Sequence, residues 1–144
     1  MQPHNLNIEY QQLPTIKLPL ANKFYRAVNA RGKASGGDIV WVARERANNV
    51  IIAVARLAPI KGFQLLTGVY VAPNYRQQGI ASQLINKLIV PNQGCYSFAL
   101  THLADFYINL GFEMVTNQQL PCELAQRFNA YQHQGRDIIA MIYR

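Results

Sequence analysis

Residues 69–82 read Val69-Tyr70-Val71-Ala72-Pro73-Asn74-Tyr75-Arg76-Gln77-Gln78-Gly79-Ile80-Ala81-Ser82. The first residues continue a β-branched and aromatic run that Pro73 ends, so a strand stops there. Gly79 then opens an apolar series, Ile80, Ala81, Leu84, Ile85 and Leu88, at the spacing of one helix face. The stretch is strand, short loop, helix. The first N–H groups of a helix have no partner within it, and the dipole makes that end electropositive. Gly79 lets an anion approach the backbone, Ala81 keeps the next turn thin, and Arg76 adds a fixed positive charge. Two readings fit: a pyrophosphate cradle, or an ordinary helix start that carries a glycine. The loop is not GxxxxGK[ST], and it lacks both GxGxxG and the acid about 20 residues further on that binds ribose.

Working outward, residues 65–72 are the strand before the loop, and 39–44 with 50–57 read as a hairpin turning at Asn48-Asn49. Residues 5–12 alternate as a short strand. Residues 22–31 read as a basic amphipathic helix stopping at Gly32, with Phe24, Tyr25, Ala27 and Val28 at helical spacing. Beyond the loop come a helix to Ile89, a strand at 95–100, a helix at 102–110 closed by Gly111, and a strand at 112–115. A helix at 121–131, with Pro121 in its first turn, and a strand at 137–143 complete the order. The fold class is α/β (α+β): an antiparallel meander feeding an α-crossover, in one domain over 1–144.

Composition narrows the function. The chain has 144 residues, 50% hydrophobic and only 15% charged, which suits a packed core rather than disorder. Its apolar runs are broken by Arg56 and Gly68 before reaching membrane-span length, and residues 1–12 are polar without an apolar core. A cytoplasmic protein with neither membrane span nor secretory leader is expected. Lys and Arg number 14 and Asp and Glu 7, giving +7. No acid lies between Arg46 and Ala104, so the middle of the chain is cationic and suits a phosphate-rich ligand, although solvated surface is the plainer reading of any single residue. Cys95 and Cys122 have no metal-ligand spacing, and no metal is expected. Cys95 reads as a buried thiol in a strand. Cys122, at a helix start, has no base assigned to it.

Two stretches together carry a resemblance. Arg76-Gln77-Gln78-Gly79-Ile80-Ala81, preceded by Val-x-Pro-x-Tyr, resembles the Arg/Gln-x-x-Gly-x-Gly/Ala signature of the GNAT superfamily of acetyl-CoA-dependent N-acetyltransferases. Ala104-Asp105-Phe106-Tyr107-Ile108-Asn109-Leu110-Gly111-Phe112 is similar to that family's second signature. The resemblance implies a mixed, mostly antiparallel central sheet flanked by helices. It also implies that acetyl-CoA enters where the strands at 65–72 and 95–100 splay apart. Backbone groups of Val69, Tyr70 and Val71 would pair with the pantetheine arm, and the Val71 N–H would polarise the thioester carbonyl, where a donor lowers acyl-transfer barriers. N–H groups of Gln77, Gln78, Gly79, Ile80, Ala81 and Ser82, with Arg76, would hold the pyrophosphate. Tyr107 matches the family's general acid. A phenol with a pKa of ~10 can protonate a departing thiolate of ~8.5 if the bond forms as charge develops.

The sequence departs from the family twice. Thr101 stands where an Asn often bonds pantetheine, and the strand at 65–72 has no neighbouring acid to serve as base. His102, whose imidazole can take a proton, and Glu113 are the base candidates, with Tyr70 behind them. The alternative is an acceptor that binds as free amine, with water taking the proton. Lys17, Lys23, Arg26, Arg31 and Lys33 on the acceptor side suit a carboxylate- or phosphate-bearing amine or a solubilising surface, and disfavour a polycation. Trp41, Phe24 and Tyr25 are placed either in the core or along the acceptor cleft. The expected activity is acetyl transfer to a primary amine of a small molecule or peptide, by direct attack in a ternary complex. The expected partners are acetyl-CoA and that acceptor, with the chain as monomer or homodimer and without nucleic acid or membrane. The alternatives are a non-catalytic acetyl-CoA sensor and a basic nucleic-acid-binding domain, whose binding would weaken steeply with salt.

Overall fold

The computed structural model describes residues 7–144, so residues 5 and 6 of the expected first strand lie outside the described residues. The elements are β1 (Ile8–Leu13), α1 (Leu18–Ala27), β2 (Ile39–Glu45), β3 (Val50–Ile60), β4 (Phe63–Val71), α2 (Ile80–Ile89), β5 (Tyr96–Leu100), α3 (Ala104–Asn109), β6 (Phe112–Met114), α4 (Cys122–His133) and β7 (Ile138–Tyr143). Among the described residues the strands form one sheet in the order β1-β2-β3-β4-β5-β7-β6. Every neighbouring pair is antiparallel except β4 and β5, which α2 connects as a crossover. The β3–β4 turn places Lys61 (φ 52) and Gly62 (φ 89) in the left-handed region, as a tight two-residue hairpin requires.

The sheet is covered on both faces, which explains its nearly continuous apolar strands. On one face α2 buries Ile80, Leu84, Ile85, Leu88 and Ile89 against Ala43, Ala53, Ala55 and Leu57, and Tyr107 of α3 joins the same cluster. The small alanines let α2 lie close. On the other face α1 buries Leu18, Ala21, Phe24 and Tyr25 over Val40, Val42 and Val54. Beside it, α4 buries Leu124 and Phe128 over Ile138 and Ala140. Trp41 packs against the α2-side core.

One helix sits differently from its sequence reading. The helix expected at 22–31 is α1 at Leu18–Ala27, with Pro19 in the first turn, where a missing N–H costs nothing. It ends before Gly32 because the chain turns at Asn29 (φ 57). Pro121 is the N-cap of α4 rather than a first-turn residue. No helix among the described residues is long and apolar enough to cross a membrane.

Candidate active site

The candidate site lies beside the short β4–β5 ladder. That parallel ladder consists of Leu65–Tyr96 and Leu66–Ser97 and goes no further. Beyond it a cavity of about 240 Å³ is lined by Thr67, Gly68 and Val69 on one strand and Ser97, Phe98 and Ala99 on the other, with Tyr107 closing it. Next to it a larger cavity of about 590 Å³ is bounded by Val69, Tyr70, Val71, Arg76 and Ala81, and by Leu100, His102, Leu103, Phe106 and Tyr107. That volume is in the range of small-ligand pockets. A third cavity of about 180 Å³ faces the start of α2 and is lined by Tyr75, Arg76, Gln77, Gly79, Ile80, Ala81 and Ser82, among others.

The start of α2 is open to an anion. Its N-cap, Gly79, sits at φ 78, ψ 8, no side chain caps the helix, and no acid lies in its first turn. A Cβ at Gly79 would meet nothing within 4 Å. Gln77 (φ 63) is left-handed as well, so the loop turns sharply twice before the helix begins. Arg76 donates through Nε to the Val71 carbonyl at 3.0 Å, and its guanidinium lies 5.1 Å from the Tyr70 ring centre. These contacts fix the charge beside the cavity.

Tyr107 is 7% exposed and Ser97, on the same side of the sheet, is 2% exposed. Burial pushes the Tyr107 phenol above its ordinary value, and the hydrogen-bonded Ser97 hydroxyl pulls it part of the way back. Phe106 and Phe112 hold the ring edge-on at 5.2 and 5.5 Å.

Strand β4 carries an irregularity at this site. Tyr70 faces Val54 and Thr67 faces Arg56, so Gly68 and Val69 both stand opposite Ala55. This is a β-bulge, with Gly68 left-handed at φ 64. The Tyr25 hydroxyl, from α1, donates to the Gly68 carbonyl at 2.6 Å. Arg56 flanks Tyr25, its guanidinium 6.0 Å from the ring centre, and pairs with Asp38 at 3.1 Å. Burial is the main cause that pushes the Tyr25 phenol up to about 12, and Arg56 opposes it.

The structure therefore brings Val69, Tyr70, Val71, Arg76, Ala81 and Tyr107 to one cavity, and Gln77, Gly79, Ile80 and Ser82 to the adjoining one. Two expected residues lie apart. Gln78 is exposed and bonds the Asn74 carbonyl at 3.5 Å. Thr101 is exposed and gives its hydroxyl to Asp137 at 2.8 Å, lining none of the three cavities. His102 lines the large cavity, whereas Glu113 sits at the sheet edge paired with Arg144 at 3.3 Å. Glu45 accepts from the Tyr75 hydroxyl at 2.5 Å. Cys95 is buried, its thiol pushed up to about 11 by desolvation, and Cys122 is exposed at the start of α4. Among the described residues no three His, Cys, Asp or Glu side chains gather as a metal site would need.

Ser97 was not singled out by the sequence, and Tyr25 was placed only in the core or along the acceptor cleft, not at the β4 bulge. Nothing local marks Ser97, since its role depends on which strand and helix it faces.

Comparison with known proteins adds the following. The sequence profile described as the acetyltransferase (GNAT) domain matches residues 36–114. No curated protein matches the sequence. Among solved structures, Escherichia coli ElaA is 21% identical with a TM-score of 0.68, over 96% of this chain and 100% of that one. Arabidopsis thaliana NAA60, solved with a bisubstrate analogue, is 14% identical with a TM-score of 0.65, over 95% and 98%. The N-acetylglutamate synthase of Neisseria gonorrhoeae, solved with coenzyme A and N-acetyl-glutamate, is 13% identical with a TM-score of 0.67, over 96% of this chain. The chain spans 35% of the length of that synthase. At these identities the likeness to the solved structures is one of fold.

Proposed function

The chain belongs to the GNAT acetyltransferase family, and from that premise we propose that it moves an acetyl group from acetyl-CoA to a primary amine of a small molecule or peptide. The transfer is by direct attack in a ternary complex. One observation carries this reading: Tyr107, the β4 bulge and the uncapped start of α2 border one connected set of cavities. The residues present fit the cosubstrate. The α2 N-terminus offers unpartnered N–H groups with room in front of Gly79, which suits a pyrophosphate. The gap between β4 and β5 offers strand edges for an amide-bearing arm.

Acetyl-CoA supplies an activated thioester, and the chain supplies position and protons. Val69 and Val71 both line the large cavity. Val71 turns its carbonyl away from β3 to Arg76 Nε, and Val69 stands in the bulge, so the N–H groups of both are candidate donors to the developing oxyanion. As the C–N bond forms and the C–S bond breaks, Tyr107 gives its phenolic proton to the departing sulfur and regains one from solvent. Its raised pKa keeps it protonated at neutral pH. The amine sheds its proton to water or to His102, which borders the same cavity.

The deciding experiment measures the melting temperature with acetyl-CoA and with CoA, followed by thiol release across an amine panel. Ligand at ~100 times its dissociation constant stabilises by about 2.7 kcal/mol, a shift of roughly 5–10 °C for this size. No shift with either ligand removes the reading. A shift without thiol release from any amine favours a non-catalytic acetyl-CoA sensor, a reading supported by the lack of any carboxylate among the residues lining these three cavities.

A further inference from the structure

We propose that Tyr25 is a positioning residue for acetyl transfer, holding the Gly68 carbonyl so that the next peptide N–H, that of Val69, is presented to the thioester. The inference rests on the acetyl-transfer reading above and assigns a role to a residue outside both family signatures.

A bulged residue has left the ladder, so its peptide needs another constraint to keep one orientation. At Gly68 that constraint is the 2.6 Å hydrogen bond from Tyr25. The described peptides are all trans, and in a trans peptide the carbonyl and the N–H point in opposite directions. Tyr25 belongs to the α1 face of the sheet and Tyr107 to the α2 face. A Gly68 carbonyl turned toward Tyr25 therefore turns the Val69 N–H toward the side that holds Tyr107.

The anchor is itself held. Tyr25 is 2% exposed. Arg56 lies beside its ring and is tied to the largely buried Asp38, at the end of the loop that follows α1. A Cβ on Gly68 would stand 2.6 Å from the Tyr25 oxygen and 2.8 Å from Arg56 Nε, so glycine is the residue that admits this contact. The fixed donor needs no reorganisation when charge develops, which is the condition for electrostatic catalysis.

The test reads the thioester carbonyl directly by infrared difference spectroscopy of acetyl-CoA labelled with 13C at that carbon. In the wild-type protein the bound band lies below that of free acetyl-CoA. In Tyr25→Phe it returns toward the free frequency, while the dissociation constant of CoA stays within about twofold. Thiol release, with whichever amine turns over, falls by roughly tenfold to a hundredfold, short of the loss on deleting an oxyanion donor outright. Phe24→Leu, on the same helix, leaves the band at its wild-type position.

A wild-type band in Tyr25→Phe overturns the proposal, even if turnover or melting temperature falls. If Tyr25→Phe does not fold, 15N-valine labelling of the wild-type protein decides. The Val69 amide should move further with acetyl-CoA than with CoA, and equal movement overturns the proposal. Failure of the wild-type protein to bind acetyl-CoA would instead remove the acetyl-transfer reading beneath it.

Discussion

At the scale of single residues, the site is a set of environments given to ordinary groups. Tyr107 keeps its proton because burial disfavours the phenolate, and Ser97 moderates that without reversing it. Tyr107→Phe should lower turnover by about a hundredfold or more while leaving CoA affinity nearly unchanged, as steady-state kinetics and calorimetry would show. Turnover should decline on the alkaline side only above pH ~10, because Tyr107 is protonated below that. Gly79→Phe should abolish the melting shift with acetyl-CoA, since a side chain there fills the open space before the α2 N-terminus and strains a φ of 78°. Gly79 and Arg76 stood out in the sequence as a glycine and a cation at a helix start, and Tyr107 stood out only through the resemblance of residues 104–112 to a family signature. Ser97 did not, because a serine in a strand carries no sign of what it will face.

At the scale of elements, two departures from regularity shape the centre of the fold. The β4 bulge turns one peptide out of the ladder, and the early end of β4–β5 pairing leaves room beside it. The hydrophobic pattern located β4 and β5 to within two residues, yet it could not locate the end of their pairing, which depends on how α2 and α3 seat on the sheet. Helix α1 shows a related limit. Its apolar spacing was readable, but its start depended on Pro19 entering the first turn and its end on Asn29 turning the chain. Gly68→Ala should destabilise by at least about 2 kcal/mol, combining left-handed strain with overpacking against Tyr25 and Arg56. A fall of roughly 5 °C or more in melting temperature would register it.

At the scale of the whole molecule, the phenol of Tyr25 and the thiol of Cys95 link stability to pH. Both are raised in the folded state, to about 12 and about 11 respectively. Below their unfolded values, near 10 and 9, each is protonated in both states and contributes no pH dependence. Above them the unfolded chain releases protons that the folded chain keeps, so stability falls as pH rises. In urea unfolding these two groups should add no pH dependence below about pH 9 and a decline in stability from there to about pH 12, and Tyr25→Phe should flatten the upper part of that decline. Sequence by itself determined the order of elements, the cationic middle and the glycine-led start of α2, because each follows from local periodicity, composition or a glycine at a helix start. It also carried the two signatures by which the family was first read. Only the tertiary structure decided that Tyr25, forty-three residues from Gly68, anchors the bulge, that Ser97 meets Tyr107, and that Thr101 turns to Asp137. Those contacts join elements distant in the chain, and their partners are chosen by how the two faces of the sheet are packed.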